Sequence, residues 1–469
     1  MMSPMWLVHN KMRRAFLIML VWFAVQAMLA VSPSGTLPVM YITTKNGQAV
    51  TRENAVDATL YIQGYGTYAS LGSKQQQIPL SIKGRGNWTW TGFDKKPYKI
   101  VFAQGQGQKL LGMKKSKHWA LLAAADDYLG FLKNTAGYSL SEHIGLPYTP
   151  HQVPVELVLN GDYLGIYFVT ETIRIDNDRV NIHEQQDGET RQAIITGGWL
   201  VEIDNYPSEG NITFTEGNGE QVMVSLHSPE DLSSAQRQYI TAQLNMLNDA
   251  IYADNPAALW RVMDIDDAAR YYLVQEIMED CESYHGSCFL YKDRDSTDTR
   301  GNSVVPAWHF GPVWDFGNAY DRQQQRYIYD GPTFAQYWIG QIAQDPMFQQ
   351  RLMQYWYIFR TQGEAKVKAD IDAFVSTISR AAERDAQRWQ NSNVSTNADM
   401  NGRKQEFLSR MNSRLQWLYS QWGEGDSTPI TDDRPPVAVQ QTAVSKRIEN
   451  GRIIIRCQGK DYTILGQEY

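Results

Sequence analysis

Cysteine and concentrated charge of one sign are scarce in this sequence. Only Cys281, Cys288 and Cys457 occur among 469 residues. So small and odd a number is no disulfide framework, and we expect buried free thiols, with a Cys281–Cys288 pair as the alternative. The eight histidines show no Cys/His spacing of the zinc-binding kind. The net charge of −7 is spread along the chain, which argues against a nucleic-acid-binding protein with its concentrated basic face.

Long apolar runs are also missing after the N-terminus, where no segment approaches about 18 uninterrupted apolar residues. A basic cluster at 11–14 precedes an apolar stretch that starts at Ala15, and Ala27 and Ala30 offer small-residue cleavage sites. This order predicts a signal peptide over residues 1–30. A membrane anchor is the alternative, but the stretch is short and interrupted by a glutamine. We therefore expect an exported protein (periplasmic, cell-surface or secreted) that is not integral to a membrane after cleavage.

The rest of the chain changes pattern near its middle. Its apolar fraction of 43% is ordinary for a globular protein, and its length favours more than one unit. Strand and turn patterns extend from Leu37 to about Tyr206, and helical patterns dominate after about Ser228. This order predicts an α+β protein with a β-rich N-terminal lobe and a helical C-terminal lobe.

The local signals differ in strength. Asn160-Gly161 lies between two β-rich runs and predicts a hairpin. Apolar spacing typical of one helix face predicts a helix over 233–252, with Trp338, Phe348, Leu352, Tyr355 and Trp356 as core residues farther along. Further strands are predicted at 78–83, 99–102 and 199–203, and further helices at 119–125, 129–143, 268–278 and most of 334–422.

The C-terminal part departs from this pattern. Residues 423–436 are rich in Gly, Asp, Ser and Pro, which predicts a linker. Beyond it, residues 437–469 contain two strand-like runs, 452–456 and 462–466, around a turn. Two strands are too few to be stable alone, so we interpret 437–469 as a small β-rich appendage.

Three polar residues in the middle of the chain suggest phosphoryl transfer. Glu282 and Ser287 are five residues apart, and Asp315 opens an Asp-Phe-Gly triplet. Protein kinases separate the catalytic base and a metal-binding Asn by the same interval, and their metal-binding Asp opens that triplet. The usual His-Arg-Asp motif and Gly-rich loop are absent, so solvated loop acids are the alternative.

Several motifs, in order, resemble the CotH kinase family, named for the spore coat protein H kinases. The resemblance covers roughly residues 37–422. It implies an atypical exported protein kinase that uses ATP and Mg²⁺ or Mn²⁺ to phosphorylate Ser or Thr of secreted or surface proteins. The motifs that carry it are Ile82-Lys-Gly-Arg-Gly-Asn-Trp-Thr-Trp, Lys95-Lys-Pro-Tyr-Lys99, His118-Trp-Ala-Leu-Leu-Ala, Asp126 with Lys133-Asn134, Asn160-Gly-Asp-Tyr-Leu-Gly-Ile-Tyr-Phe-Val-Thr-Glu171, Tyr291-Lys-Asp and Gly311-Pro-Val-Trp-Asp-Phe-Gly-Asn.

The resemblance also implies roles for individual residues. Asp315 falls on the family's metal-binding Asp, Glu282 on its catalytic Asp, and Ser287 where a metal-binding Asn is common. Lys99 is the candidate for contacting phosphate. Glu171 is the candidate for a position near the adenine or the hinge between the lobes.

The departures from the family pattern leave an alternative function open. A misplacement of about 1 Å, such as Glu in place of Asp can cause, costs on the order of a hundredfold in rate. Gly317 falls where many members carry an acidic or amide residue. The alternative is therefore a weak or inactive pseudokinase that acts as a secreted binding or adhesion protein.

For five other polar residues in these motifs, a structural role is the alternative to a functional one. Lys83 and Arg85 can bind phosphate, but we expect a solvated strand end. Asp126, Lys133 and Asn134 suit a helix cap and an ion pair better than a catalytic role.

Overall fold

The structure is a computed structural model. It describes residues 31–204, 211–215, 219, 221–330 and 337–431 in full, and the backbone alone of 445–449, 452–457 and 460–463. The predicted signal peptide, residues 1–30, lies outside the described residues. Where the chain is described, no helix combines the length and apolar character needed to cross a membrane.

Seven strands near the N-terminus form a closed barrel in the order β1-β2-β3-β4-β5-β7-β6. Neighbouring strands are antiparallel except β1 and β6, whose parallel pairing, with Val39 opposite Glu156, closes the barrel. The strands are β1 (Val39–Thr44), β2 (Val56–Gln63), β3 (Ile78–Gly84), β4 (Tyr98–Phe102), β5 (His118–Leu122), β6 (Gln152–Leu159) and β7 (Asp162–Glu171).

The barrel forms because apolar side chains recur at every second position. In β2, the residues at alternate positions from Val56 are buried and those between them are more exposed. This period of two directs one set of side chains to the interior. The side chains of Leu60, Ile82 and Trp119 are 0% exposed there, so the interior is a packed core.

One prediction for this region is wrong. Residues 119–125 are not helical, because 118–122 form β5, which pairs with β4 on one side and β7 on the other. A short run of Leu and Ala suits a buried helix and a buried strand equally well. The two neighbouring strands supply backbone hydrogen-bond partners, so this segment forms a strand and not a helix.

The predicted hairpin is confirmed. Asn160 and Gly161 have φ angles of 53° and 84°, the positive values that a two-residue turn of type I′ requires. The turn is also fixed from outside, since the Asn160 Oδ1 atom accepts a hydrogen bond from the backbone N–H of Thr44 at 2.8 Å.

A second sheet follows, with strand order β14-β11-β8-β10-β9. Four of its five strands lie beyond the predicted end of the β-rich part at Tyr206. The sheet consists of β8 (Trp199–Ile203), β9 (Ile212–Thr215), β10 (Gln221–Ser228), β11 (Cys288–Lys292) and β14 (His309–Phe310); β12 (Ser296–Thr297) and β13 (Ser303–Val304) pair separately. Most of its buried apolar side chains share one core with the helices, whereas Leu200 and Phe289 belong to a smaller cluster.

The helices make up most of the second half. The predicted core residues Trp338, Phe348, Leu352, Tyr355 and Trp356 are all buried, between 0% and 6% exposed. The helices are α1 (Trp88–Gly92), α2 (Leu132–Ile144), α3 (Gln192–Ile195), α4 (Ser234–Ile251), α5 (Pro256–Val262), α6 (Ile265–Met278), α7 (Ile339–Ile342), α8 (Pro346–Ile358), α9 (Glu364–Trp389) and α10 (Met400–Trp422), with short 3₁₀ segments at Lys45–Gly47 and Ile328–Asp330 and a π-helical turn, Phe359–Gly363, between α8 and α9. The order confirms a mixed α+β fold, with the barrel first and a helical region after it.

Helix α9 is joined to the barrel by a buried ion pair. The Lys95 Nζ atom lies 2.7 Å from Asp385 Oδ1, and both side chains are 0% exposed. The same carboxylate oxygen accepts a hydrogen bond from the backbone N–H of Ile166 at 2.8 Å. At Gly165, a Cβ atom would lie 2.1 Å from this oxygen, so only glycine permits the approach.

The end of the chain is described in part. Within the predicted linker 423–436, the described residues lie against α8: the backbone N–H of Asp426 donates to Met353 O at 3.0 Å, and the Trp356 indole N–H donates to Gly423 O at 3.0 Å. Farther on, the backbone forms three antiparallel strands in place of the two predicted: β15 (Ser445–Glu449), β16 (Arg452–Cys457) and β17 (Lys460–Thr463).

Candidate functional site

A cleft of about 940 Å³ is lined by loops of the barrel and by the five-stranded sheet. Lys99, Glu282, Ser287 and Asp315, four of the five predicted site residues, lie in its wall. They come from β4, from the segment between α6 and β11, and from the loop after β14. The fold thus brings together residues that are up to about 200 positions apart in sequence.

The fifth residue, Glu171, does not line the cleft. Its buried carboxylate accepts hydrogen bonds from the His151 backbone N–H at 3.1 Å and the Tyr148 hydroxyl at 3.2 Å. The residues that follow it, 172–175, do line the cleft. Glu171 therefore holds the start of this wall in place, and its side chain faces away from the cleft.

Asp315 has an unusual backbone conformation. Its φ angle is 59°, in the left-handed region that costs a non-glycine residue about 1–3 kcal/mol. The next residue is held on both sides: the Phe316 N–H donates to Asn134 Oδ1 at 2.8 Å, and its ring packs where a Cβ on Gly137 would lie 2.2 Å away. Helix α2 therefore supports the conformation that exposes the Asp315 carboxylate in the cleft.

Glu282 is held by a residue that the sequence analysis did not single out. The side-chain amide of Asn318 donates a hydrogen bond to the Glu282 carboxylate. Asp280 lies nearby and is buried; desolvation, then the charges of Glu282 and Asp315, raise its pKa well above the usual value. Ser287 also has a positive φ angle, 53°. The segment around Glu282 therefore carries two acidic side chains close together on a constrained backbone.

Asp126 joins Asp315 in the cleft wall. A Cβ atom placed on Gly317 would lie 3.2 Å from Asp315 Oδ1 and 3.7 Å from Asp126 Oδ2, so both carboxylates face the space beside this glycine. Burial and then the Asp315 charge raise the pKa of Asp126 to about 6. Carboxylate oxygens are the ligands that Mg²⁺ and Mn²⁺ prefer. A dication between the two would offset their repulsion, so the residues present fit a divalent metal ion.

The helix cap predicted near Asp126 is made by its neighbour. Asp127 accepts hydrogen bonds from the backbone N–H groups of Leu129 at 2.9 Å and Lys133 at 3.0 Å. Lys133 forms its ion pair with Asp321, at 2.6 Å. The structural interpretation of Asp126 is therefore wrong, because Asp127 and Asp321 take up the two interactions.

Positive charge lies in the same cleft. Arg85, Lys99 and Arg174 all line it. In the fully described part of the chain, none of the three makes an ion pair within 4.0 Å or a side-chain hydrogen bond. Burial, and after it the neighbouring Arg174, lowers the pKa of Lys99. Neighbouring cations without a carboxylate partner form a site for an anion with several negative charges, such as a polyphosphate.

Glu202 and His227 were also missed. Glu202 is 9% exposed on β8 and lies 2.5 Å (Oε2) from His227 Nε2 on β10; both line the cleft. Burial, opposed by His227, raises the pKa of Glu202. A carboxylate within the otherwise apolar run Trp-Leu-Val-Glu-Ile was the available signal, because an acidic residue is seldom fully buried without a partner. His227 carried no comparable signal.

Comparison with known proteins gives one finding. No curated protein matches this sequence. A family model described as CotH kinase protein matches residues 82–418, more than half of the chain. The match begins in β3 and ends in α10, so it contains the cleft residues from Arg85 to Asp321. The chain belongs to the CotH kinase family.

Proposed function

We propose that this protein is an exported, atypical protein kinase that transfers the γ-phosphate of ATP to Ser or Thr of secreted or surface proteins. The observation that carries the proposal is the composition of one cleft. Arg85, Lys99 and Arg174 lie there without an ion-pair partner among the described residues, together with the carboxylates of Asp126 and Asp315. Metal-bound ATP presents the complementary charges, an anionic triphosphate and a dication.

The residues divide into two groups by chemistry. Lys99, Arg174 and Arg85 would contact the phosphates between a barrel lobe and a helical lobe arranged as in a kinase. Asp315, with Asp126 and Ser287, would hold Mg²⁺ or Mn²⁺. When bound, such an ion would neutralise negative charge on the phosphates.

Glu282 is the candidate for the base. Its carboxylate would accept the proton of the substrate hydroxyl as the Ser or Thr oxygen attacks the γ-phosphorus. The bond between that oxygen and phosphorus forms, the bond from phosphorus to the bridging oxygen breaks, and ADP leaves with the bridging oxygen. Asn318, through its hydrogen bond to Glu282, would orient the carboxylate for this step.

Export is the remaining part of the proposal. It is supported by the order of basic, apolar and small residues within 1–30, which is typical of a signal peptide. An exported chain would meet its acceptors outside the cytoplasm, in the periplasm or at the cell surface.

The test is transfer of label from ATP by the chain lacking residues 1–30, with Mg²⁺ or Mn²⁺. We expect label from γ-labelled ATP, but not from α-labelled ATP, on Ser or Thr of the chain or of an added protein acceptor. Asp315→Asn should abolish it. Asp94→Asn is the matched control, because Asp94 is exposed and does not line the cleft.

Two results would contradict the proposal. Transfer from α-labelled ATP would indicate nucleotidyl transfer in place of phosphoryl transfer. No transfer with either metal, together with no rise in melting temperature on adding ATP and metal, would leave a kinase-like scaffold reused for binding. A ligand that binds only the folded state raises stability, so the second measurement does not depend on turnover.

A further inference from the structure

Arg85 lies in a turn between Gly84 and Gly86, two positions with little space for a side chain. A Cβ on Gly84 would lie 2.4 Å from the Trp90 ring, and a Cβ on Gly86, whose φ is 83°, would lie 2.3 Å from Thr89 Oγ1. The Arg85 backbone N–H is fixed by a hydrogen bond to Pro97 O at 3.2 Å. The turn is therefore closely packed, and Arg85 is held in the cleft wall.

The guanidinium of Arg85 lies beside the residues that carry the proposed metal site. Its carbon is 5.6 Å from the centroid of the Trp314 ring, and Trp314 directly precedes Asp315. Desolvation lowers the pKa of Arg85, and the charge of Asp315 is the largest effect that opposes it. Arg85 directly follows β3 and is partly exposed, as expected for a strand end, and it also lines the cleft.

Lys99 has a different environment. After desolvation, the charges that act on its pKa are first those of Arg174 and Glu230 and then those of Arg85 and Lys83. The cleft thus has two cationic positions. One is formed by Lys99 and Arg174, and the other is Arg85, which packs over the ring of Trp314 directly before Asp315.

We propose that Arg85, and not Lys99, contacts the phosphoryl group that is transferred. This rests on the proposed function: the γ-phosphate must lie near both Asp315 and Glu282, and the Arg85 guanidinium packs over Trp314, the residue directly before Asp315. A guanidinium presents two parallel N–H donors that match two phosphate oxygens. It would therefore bind the γ-phosphate and stabilise the charge that develops there during transfer, while Lys99 and Arg174 bind the α- and β-phosphates.

The experiment compares the binding of ADP and of a β,γ-imido ATP analogue, each with Mn²⁺, by titration calorimetry. The wild-type chain should prefer the ATP analogue. Arg85→Gln should reduce this preference by about 10- to 100-fold, the range for a lost hydrogen bond to a charged group, and change ADP affinity little. Lys99→Gln should weaken both nucleotides to a similar degree and keep the preference.

Arg85→Lys provides a second variant that retains the charge and loses the paired donors. We expect a preference between those of the wild type and Arg85→Gln, with an unchanged melting temperature. If both Arg85 variants keep the full preference, the inference is wrong and the proposed function stands. If the wild-type chain binds neither nucleotide, the proposed function itself is wrong.

Discussion

The buried ion pair between the barrel and helix α9 offers the sharpest test of what holds the fold together. Asp385→Ala would remove the carboxylate and leave the Lys95 ammonium without its partner. The ammonium has no solvent exposure and is surrounded by aromatic rings, with the centroids of Phe131 and Tyr167 at 5.6 and 5.3 Å. The backbone N–H of Ile166 would also lose its acceptor.

The magnitude follows from these contacts. Removing one partner of a fully buried ion pair costs about 3–5 kcal/mol, because the other charge stays desolvated. Burial already lowers the pKa of Lys95, so deprotonation of the orphaned lysine would limit the loss. Lys95→Met combined with Asp385→Leu should restore most of the stability, since apolar replacement of a buried pair is often neutral.

The assay is urea unfolding followed by tryptophan fluorescence, with Asp57→Ala as the matched control. Asp57 also pairs with a lysine, Lys45 at 3.4 Å, but the two side chains are 77% and 68% exposed. Such a surface pair contributes about 0–1 kcal/mol. Equal losses for Asp385→Ala and Asp57→Ala, or a double variant no more stable than Asp385→Ala, would refute this reasoning.

Three further predictions concern the cleft and its wall. Glu282→Asp introduces the residue that the family has at this position, yet it should slow phosphate transfer by on the order of 100-fold, because Asn318 holds the longer side chain and the shorter one withdraws the carboxylate by about 1 Å; a faster enzyme would show that the native Glu282 is the misplaced residue. Gly317→Asp should lower the melting temperature without metal, through repulsion by Asp315, and raise the stabilisation that Mn²⁺ gives; Gly317→Ala should do neither. The hydrogen bond to Glu171 raises the pKa of His151, so its stabilising effect is full below the ordinary histidine pKa and is lost as the pH rises through the raised value. His151→Ala should therefore cost more stability at about pH 5.5 than at about pH 8.5, and equal costs would show that the pair does not titrate as described.

Local sequence was sufficient to predict those parts of the structure that depend on local contacts alone. The Asn160-Gly161 turn needs positive φ angles that few other dipeptides accept, and both residues have them. It was insufficient for 118–122, where Ala and Leu favour a helix and only pairing with β4 and β7 gives a strand. The barrel itself could not be predicted, because its closure depends on the parallel pairing of β1 with β6, more than 100 residues apart.

The candidate site divides in the same way. Glu282, Ser287 and Asp315 lie in motifs that could be found in the sequence. Arg85 was assigned to a solvated strand end and Asp126 to a helix cap, since nothing near them in sequence shows that the chain brings them to the loop that carries Asp315. Their environment comes from elements joined only in three dimensions, and a single sequence contains no direct signal of such contacts.

Two residues of the family motif on helix α2, Lys133 and Asn134, hold the loop that carries Asp315. Lys133 Nζ donates hydrogen bonds to Gly317 O and Asp321 Oδ1, each at 2.6 Å, and Asn134 accepts from the Phe316 N–H. The loop that carries Asp315 is therefore held by contacts from one helix, and Lys133 itself lines the cleft. A residue keeps a strained backbone conformation only when the surrounding structure fixes that conformation. Helix α2 makes the contacts that fix this conformation, so the position of the Asp315 carboxylate depends on α2 more than on the loop's own sequence.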